Sequence, residues 1–109
     1  VAQKLTPQQR RRKELLVKWK TARAEVLQRD KYVCMVCGES ATCVNHVLGR
    51  KYKSLFLSKK YLMASCQECN QSDQADTVEE RQKRIAILYS EYDYDYSDCP
   101  DKQYLMLIE

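Results

Sequence analysis

No run of apolar residues in this chain approaches the roughly 20 needed to cross a bilayer, and the opening VAQKLT is followed by PQQRRRK, without the apolar stretch of a secretion signal. The expectation is a soluble, intracellular protein with no membrane partner. No internal repeat is present, which excludes a solenoid. Histidine is nearly missing, with His46 its single instance. A chain of 109 residues with 44% apolar content can build one small core but not a generous one, and such domains often need a staple. Six cysteines can supply it, as disulfides in a secreted protein or as a metal site in a reducing compartment.

The net charge of +4 hides a gradient along the chain. Residues 1–31 carry ten Lys/Arg against three acids, residues 32–70 five against two, and residues 71–109 four against ten. A basic front and middle suit a polyanion such as DNA, while the acidic rear argues against uniform coating of nucleic acid.

Thr6 followed by Pro7 and Gln9 is a helix start with a capping box, and Leu15, Leu16, Trp19, Ala22, Val26 and Leu27 recur at helical spacing to about Arg29. Its first half carries Arg10, Arg11, Arg12 and Lys13, either a solvated face or a phosphate contact. Residues 32–63 lack helical periodicity, so short strands are expected near Cys43–Val47 and Tyr61–Ser65. Between them lies a loop with Arg50, Lys51, Lys53, Lys59 and Lys60 and no acid, a second candidate for nucleic acid. A short helix is expected from about Cys66. Thr77–Glu80 is a second capping box leading a helix whose face is Val78, Ile85, Leu88, Tyr89 and Tyr92. The acidic tail that follows holds several tyrosines, a residue enriched at recognition surfaces, and is a candidate contact for a protein partner or for the protein's own core.

Two Cys-x-x-Cys pairs, Cys34/Cys37 and Cys66/Cys69, have the spacing of a closed four-thiolate zinc site. Such a site has no open position, so it staples the fold and leaves chemistry to other residues. Cys43 and Cys99 fit neither pair and are expected to be a buried thiol and a tail thiol.

The run WKTARAEVLQRDKYVCMVCGESATCVNHV, with YLMASCQECNQSD after it, resembles the zinc-bearing branch of the HNH endonuclease family over about Trp19–Asp73. The resemblance implies an α+β fold: a zinc-stabilised ββα-metal (His-Me finger) core at residues 32–76, behind a long basic N-terminal helix at 1–31 and ahead of a C-terminal helix and tail at 77–109. It places His46 on the general base and Asn70 on a metal ligand from the helix, with Mg²⁺ or Mn²⁺ as the catalytic ion beside a structural Zn²⁺. A neutral imidazole takes a proton from water near pH 7, and an amide oxygen suits a hard cation.

Three positions depart from the family. Asn45 stands where an aspartate usually binds the ion, Tyr61 where an asparagine orients the base, and Asp73 where a basic residue is common. Metal affinity is expected to drop, and Asp73, three residues beyond Asn70, is a candidate to restore the missing carboxylate. The expected function is a metal-dependent HNH-type DNA endonuclease, small and phage-like or mobile-element-like. The alternative is a decayed nuclease scaffold that binds DNA or a protein without cutting.

Overall fold

The computed structural model describes residues 4–71 and 76–109. Thr6 opens the first helix: its hydroxyl accepts from the Gln9 amide at 3.1 Å while the Gln9 side chain accepts from the Thr6 amide at 2.9 Å. With Pro7 in the first turn, helix α1 runs Pro7–Arg29. Its buried residues are Ala22, Val26 and Leu27, so only the second half meets the core. Leu15, Leu16 and Val17 remain about half exposed. The helical spacing of Leu15 and Leu16 therefore marks no core contact here.

Strands β1 (Cys43–His46) and β2 (Leu62–Ser65) pair antiparallel, with Asn45 opposite Met63 and His46 opposite Leu62. Alternation along the strands splits the interior in two. Val44, Leu62 and Ala64 face α1 and pack with Val26, Leu27, Cys34 and Ala41. Tyr61 and Met63 join Val47, Leu48, Ile85 and Leu88 on the other side. A short helix α2 (Gln67–Gln71) follows β2. The second side of the sheet is covered by α3 (Val78–Tyr92), whose N-cap Thr77 hydroxyl accepts from the Glu80 amide at 3.2 Å. The architecture is a small α+β fold in which a two-stranded sheet lies between helices. Among the described residues, no helix is long and apolar enough to cross a membrane.

The face of α3 differs from its sequence expectation. Val78 and Tyr89 are exposed, whereas the charged Arg84 is buried beside Ile85 and Leu88. Arg84 offsets part of the cost of burial by donating from Nε to Glu80 at 3.3 Å and from Nη2 to the Cys69 carbonyl at 3.1 Å, while its buried Nη1 has no partner among the described residues.

The tyrosine-rich tail returns to the core. Tyr96, Cys99, Tyr104 and Leu105 are buried in the cluster that contains Tyr61 and Leu88. The Tyr96 hydroxyl donates to the Lys60 carbonyl at 2.7 Å, and the Tyr61 hydroxyl donates to Asp98 at 2.7 Å. Deleting residues 91–109 is expected to uncover that cluster, and soluble yield should fall sharply. Undiminished yield and an unchanged melting temperature would contradict this packing.

Asp30 ties these layers together. Its side chain is fully buried and takes two bonds from Arg29, at 2.8 and 3.0 Å, one from the Ala64 amide at 2.9 Å, and one from the Tyr92 hydroxyl. Arg29 also reaches the carbonyls of Lys59 and Leu62 and the Tyr94 hydroxyl. One adjacent pair of residues thus clasps α1, β2, α3 and the tail.

Candidate metal centre and adjoining cleft

Cys34 and Cys37 sit in a tight turn after α1. The Gly38 amide closes it onto the Cys34 carbonyl at 2.9 Å, and Gly38 takes φ +84°, a conformation that favours glycine. The Met35 amide donates to the Ala64 carbonyl at 3.0 Å, which fixes the turn against β2. Since β2 ends at Ser65, Cys66 and Cys69 emerge beside the first pair, and all four sulfurs lie within 4.8 Å of one another. Cys37 and Cys66 are 3.6 Å apart at sulfur. A tetrahedral ion with metal–sulfur bonds near 2.3 Å separates its sulfurs by about 3.8 Å, so the cluster fits a metal ion such as zinc.

The electrostatics agree. Burial opposes ionisation of Cys34, but the backbone N–H groups of Cys37, Cys66 and Val36 overcome it and draw its thiol down to about 6. Burial and the neighbouring sulfurs push Cys69 the other way. Sulfurs this close cannot all be thiolates without a cation between them. Cys43 and Cys99 stand apart from the cluster: Cys43 is only partly buried, short of the expected buried thiol, and Cys99 is a tail thiol that the tail buries.

Next to the cluster lies a polar cleft of about 240 Å³ lined by Val44, Asn45, His46, Gly49, Arg50, Asn70 and Asp76. β1 delivers Asn45 and His46, and α2 delivers Asn70 directly after a member of the cysteine cluster. The Asn45 amide donates to the Asn70 side-chain oxygen at 3.2 Å. These three sequence candidates therefore share one site. Their amide oxygens are hard donors without formal charge.

His46 follows Val44 onto the α1 side of the sheet. There its ring stacks on Trp19, at 4.7 Å between centroids, and on Phe56, at 4.6 Å, and these two rings also meet each other at 5.3 Å, so the three form one aromatic cluster. Its Nε2 lies 3.3 Å from the Phe56 carbonyl oxygen. A carbonyl can only accept, so the neutral ring carries its proton on Nε2 and has its lone pair on Nδ1. Burial and the Arg50 cation lower the His46 pKa against the opposing effect of the Phe56 carbonyl, which keeps the imidazole neutral near pH 7.

The remaining candidates are dispersed. Arg10, Arg11, Arg12 and Lys13 are exposed along the free half of α1, and Arg50, Lys51 and Lys53 are exposed near the cleft side of the long loop. Lys59 pairs with Glu25, and Lys60 is held by Asp98 at 2.8 Å. Tyr61 is buried and spends its hydroxyl on the tail, so it does not line the cleft. Asp73 lies outside the described residues. No sequence pattern marks Trp19, Phe56, Asp76 or Arg84 as site residues. Phe56 stands ten residues from His46 and Trp19 twenty-seven, with no periodicity to link them, and Asp76 looks like an ordinary acid ahead of a helix cap.

Comparison with protein-family models, curated proteins and solved structures yields no match.

Proposed function

We propose that the protein is a metal-dependent phosphodiester hydrolase of the HNH type that acts on DNA, built on a ββα-metal core of β1, β2 and α2 and stapled by Zn²⁺ at the four cysteines. The observation that carries this reading is the state of His46. Its Nε2 is committed to a backbone carbonyl, its ring is packed in a cluster with Trp19 and Phe56, and it lines the same cleft as the amides of Asn45 and Asn70. Such a neutral imidazole, with its one proton on Nε2, is suited to act as a general base whose Nδ1 takes a proton from an attacking water. A divalent ion, when bound, supplies positive charge for the scissile phosphate and the leaving oxygen. Arg50 lines the cleft and supplies a guanidinium suited to a phosphate oxygen, while the α1 cations hold backbone further away.

A second reading, a zinc-stabilised module that binds DNA or a protein without cutting, has one observation in its favour. The Asn70 side-chain oxygen accepts from the Asn45 amide, and neither residue brings charge to the cleft.

The test is cleavage of supercoiled plasmid and of a branched duplex in Mg²⁺, Mn²⁺ or EDTA, with His46→Ala beside the wild type at equal zinc content. The nuclease reading expects ion-dependent cutting that falls about 100-fold or more in the variant, the usual worth of a general base. Binding without cutting by both proteins selects the second reading.

A further inference from the structure

We propose that Asp76 supplies the carboxylate of the divalent-ion site, acting with the amide oxygens of Asn45 and Asn70. The assignment rests on the reading of the cleft given above and adds the ligand that reading lacks. Mg²⁺ and Mn²⁺ sites ordinarily include at least one carboxylate, because amide oxygens alone offset none of the ion's charge. The strand and the short helix bring only Asn45 and Asn70. Among the described residues lining the cleft, Asp76 is the acid.

Its neighbours hold it there. Arg81 donates to the Tyr104 hydroxyl at 3.1 Å and is stacked over the Tyr104 ring, which fixes the guanidinium on the buried tail. Its Nη2 passes beside Gly49 so closely that a Cβ there would lie 3.1 Å away, and Gly49 takes φ +78°, so backbone and side chain both call for glycine at this point. From that position Arg81 Nη2 reaches the Asp76 carboxylate at 3.5 Å. This contact is too long for a firm hydrogen bond, so it steers the carboxylate without consuming it. The side chain is 85% exposed, and among the described residues its second oxygen has no hydrogen-bond partner. It is a carboxylate loosely paired with Arg81 and otherwise exposed.

The charge balance points the same way. Arg50 lines the cleft and Arg81 reaches Gly49 and Asp76 at its edge, so a divalent cation held there has two like charges nearby. Asp76 is the negative group placed to offset them.

The experiment is Mn²⁺ binding to the zinc-loaded protein, followed by the loss of the free-ion signal in electron paramagnetic resonance. Wild type, Asp76→Asn, Asn70→Ala and Glu79→Gln are compared at equal zinc content. Glu79 is an exposed acid of the same helix start outside the cleft, so E79Q controls for the loss of one negative charge. The expected result is a dissociation constant at least tenfold weaker in D76N and in N70A, with E79Q like the wild type. If N70A weakens binding and D76N does not, the cleft holds the ion and Asp76 is not its ligand. Asp76 is excluded equally if Asp73→Asn abolishes binding while D76N retains it. If the wild type takes up no Mn²⁺, both the assignment and the metal-dependent reading of the cleft fall.

Discussion

Stripping the metal from Cys34, Cys37, Cys66 and Cys69 is expected to unfold most of the protein rather than to empty a peripheral site. Cys34 is a member of the α1-side core, and Cys66 and Cys69 pack against the same cluster. The second pair begins where β2 ends, and Asn70 follows within the same short helix, so the cluster joins the end of the sheet to the start of that helix. Structural zinc contributes roughly 10–16 kcal/mol at neutral pH, comparable to or larger than the ~5–15 kcal/mol by which a whole domain is stable. A strong chelator, or Cys66→Ser, should therefore abolish cooperative thermal unfolding, and helical circular dichroism should collapse. Cys43→Ser should leave both intact, since that thiol stands outside the cluster. An apoprotein that melts at the wild-type temperature would refute the structural role.

The second large effect is expected at Asp30. Alanine there leaves Arg29, whose side chain is only 15% exposed, without its counter-charge. It also strips a partner from the Ala64 amide and from the Tyr92 hydroxyl. Removing one member of a buried pair costs roughly 3–5 kcal/mol, and the loss should be visible as a lowered urea midpoint. The clasp also has a pH signature. Burial alone would raise the Asp30 pKa, but the bonds from Arg29, Tyr92 and the Ala64 amide outweigh it and hold the carboxyl below its ordinary value. A group depressed by folding contributes its stability above the unfolded pKa of about 4 and loses it as the pH falls toward the lower folded value. The stability gap between wild type and Asp30→Asn should thus be flat above about pH 5 and shrink below about pH 4. Taking the difference removes metal loss in acid, which both proteins share. A gap that widens in acid would show that Asp30 is not held as the anion.

Local chemistry was legible in the sequence. Thr6, Pro7 and Gln9 announce the start of α1 because a capping box is closed by residues three apart, and the helix runs Pro7–Arg29 as the spacing suggests. The four cysteines announce a metal cluster because each pair chelates from its own turn. The α+β class followed from the break in helical period between the two helices. What stayed hidden depends on contacts between distant segments. Tyr92, Tyr94 and Tyr96 have no strand or helix pattern that says they will turn inward, since their partners Arg29, Asp30 and Lys60 stand more than thirty residues earlier. Arg84 looks like a surface cation, and only the approach of α2 gives it a carbonyl to bind. At the cleft, His46 and Asn70 could be singled out by their places beside the cysteines, whereas the cluster of His46 with Trp19 and Phe56 exists only after α1 and the long loop have closed on β1.

The free half of α1 has a consequence of its own. Residues from Pro7 to Lys18 are exposed on every side, and a helix of about a dozen residues without tertiary support is marginal in water. Their amides should exchange with solvent deuterium by local fraying, orders of magnitude faster than those around Val26, which open only with the whole domain. A polyanion that docks on Arg10, Arg11, Arg12 and Lys13 would suppress that fraying. Association would then carry the entropy cost of ordering a segment as well as the electrostatic gain, and slowed exchange between Pro7 and Lys18 would map the docking site amide by amide.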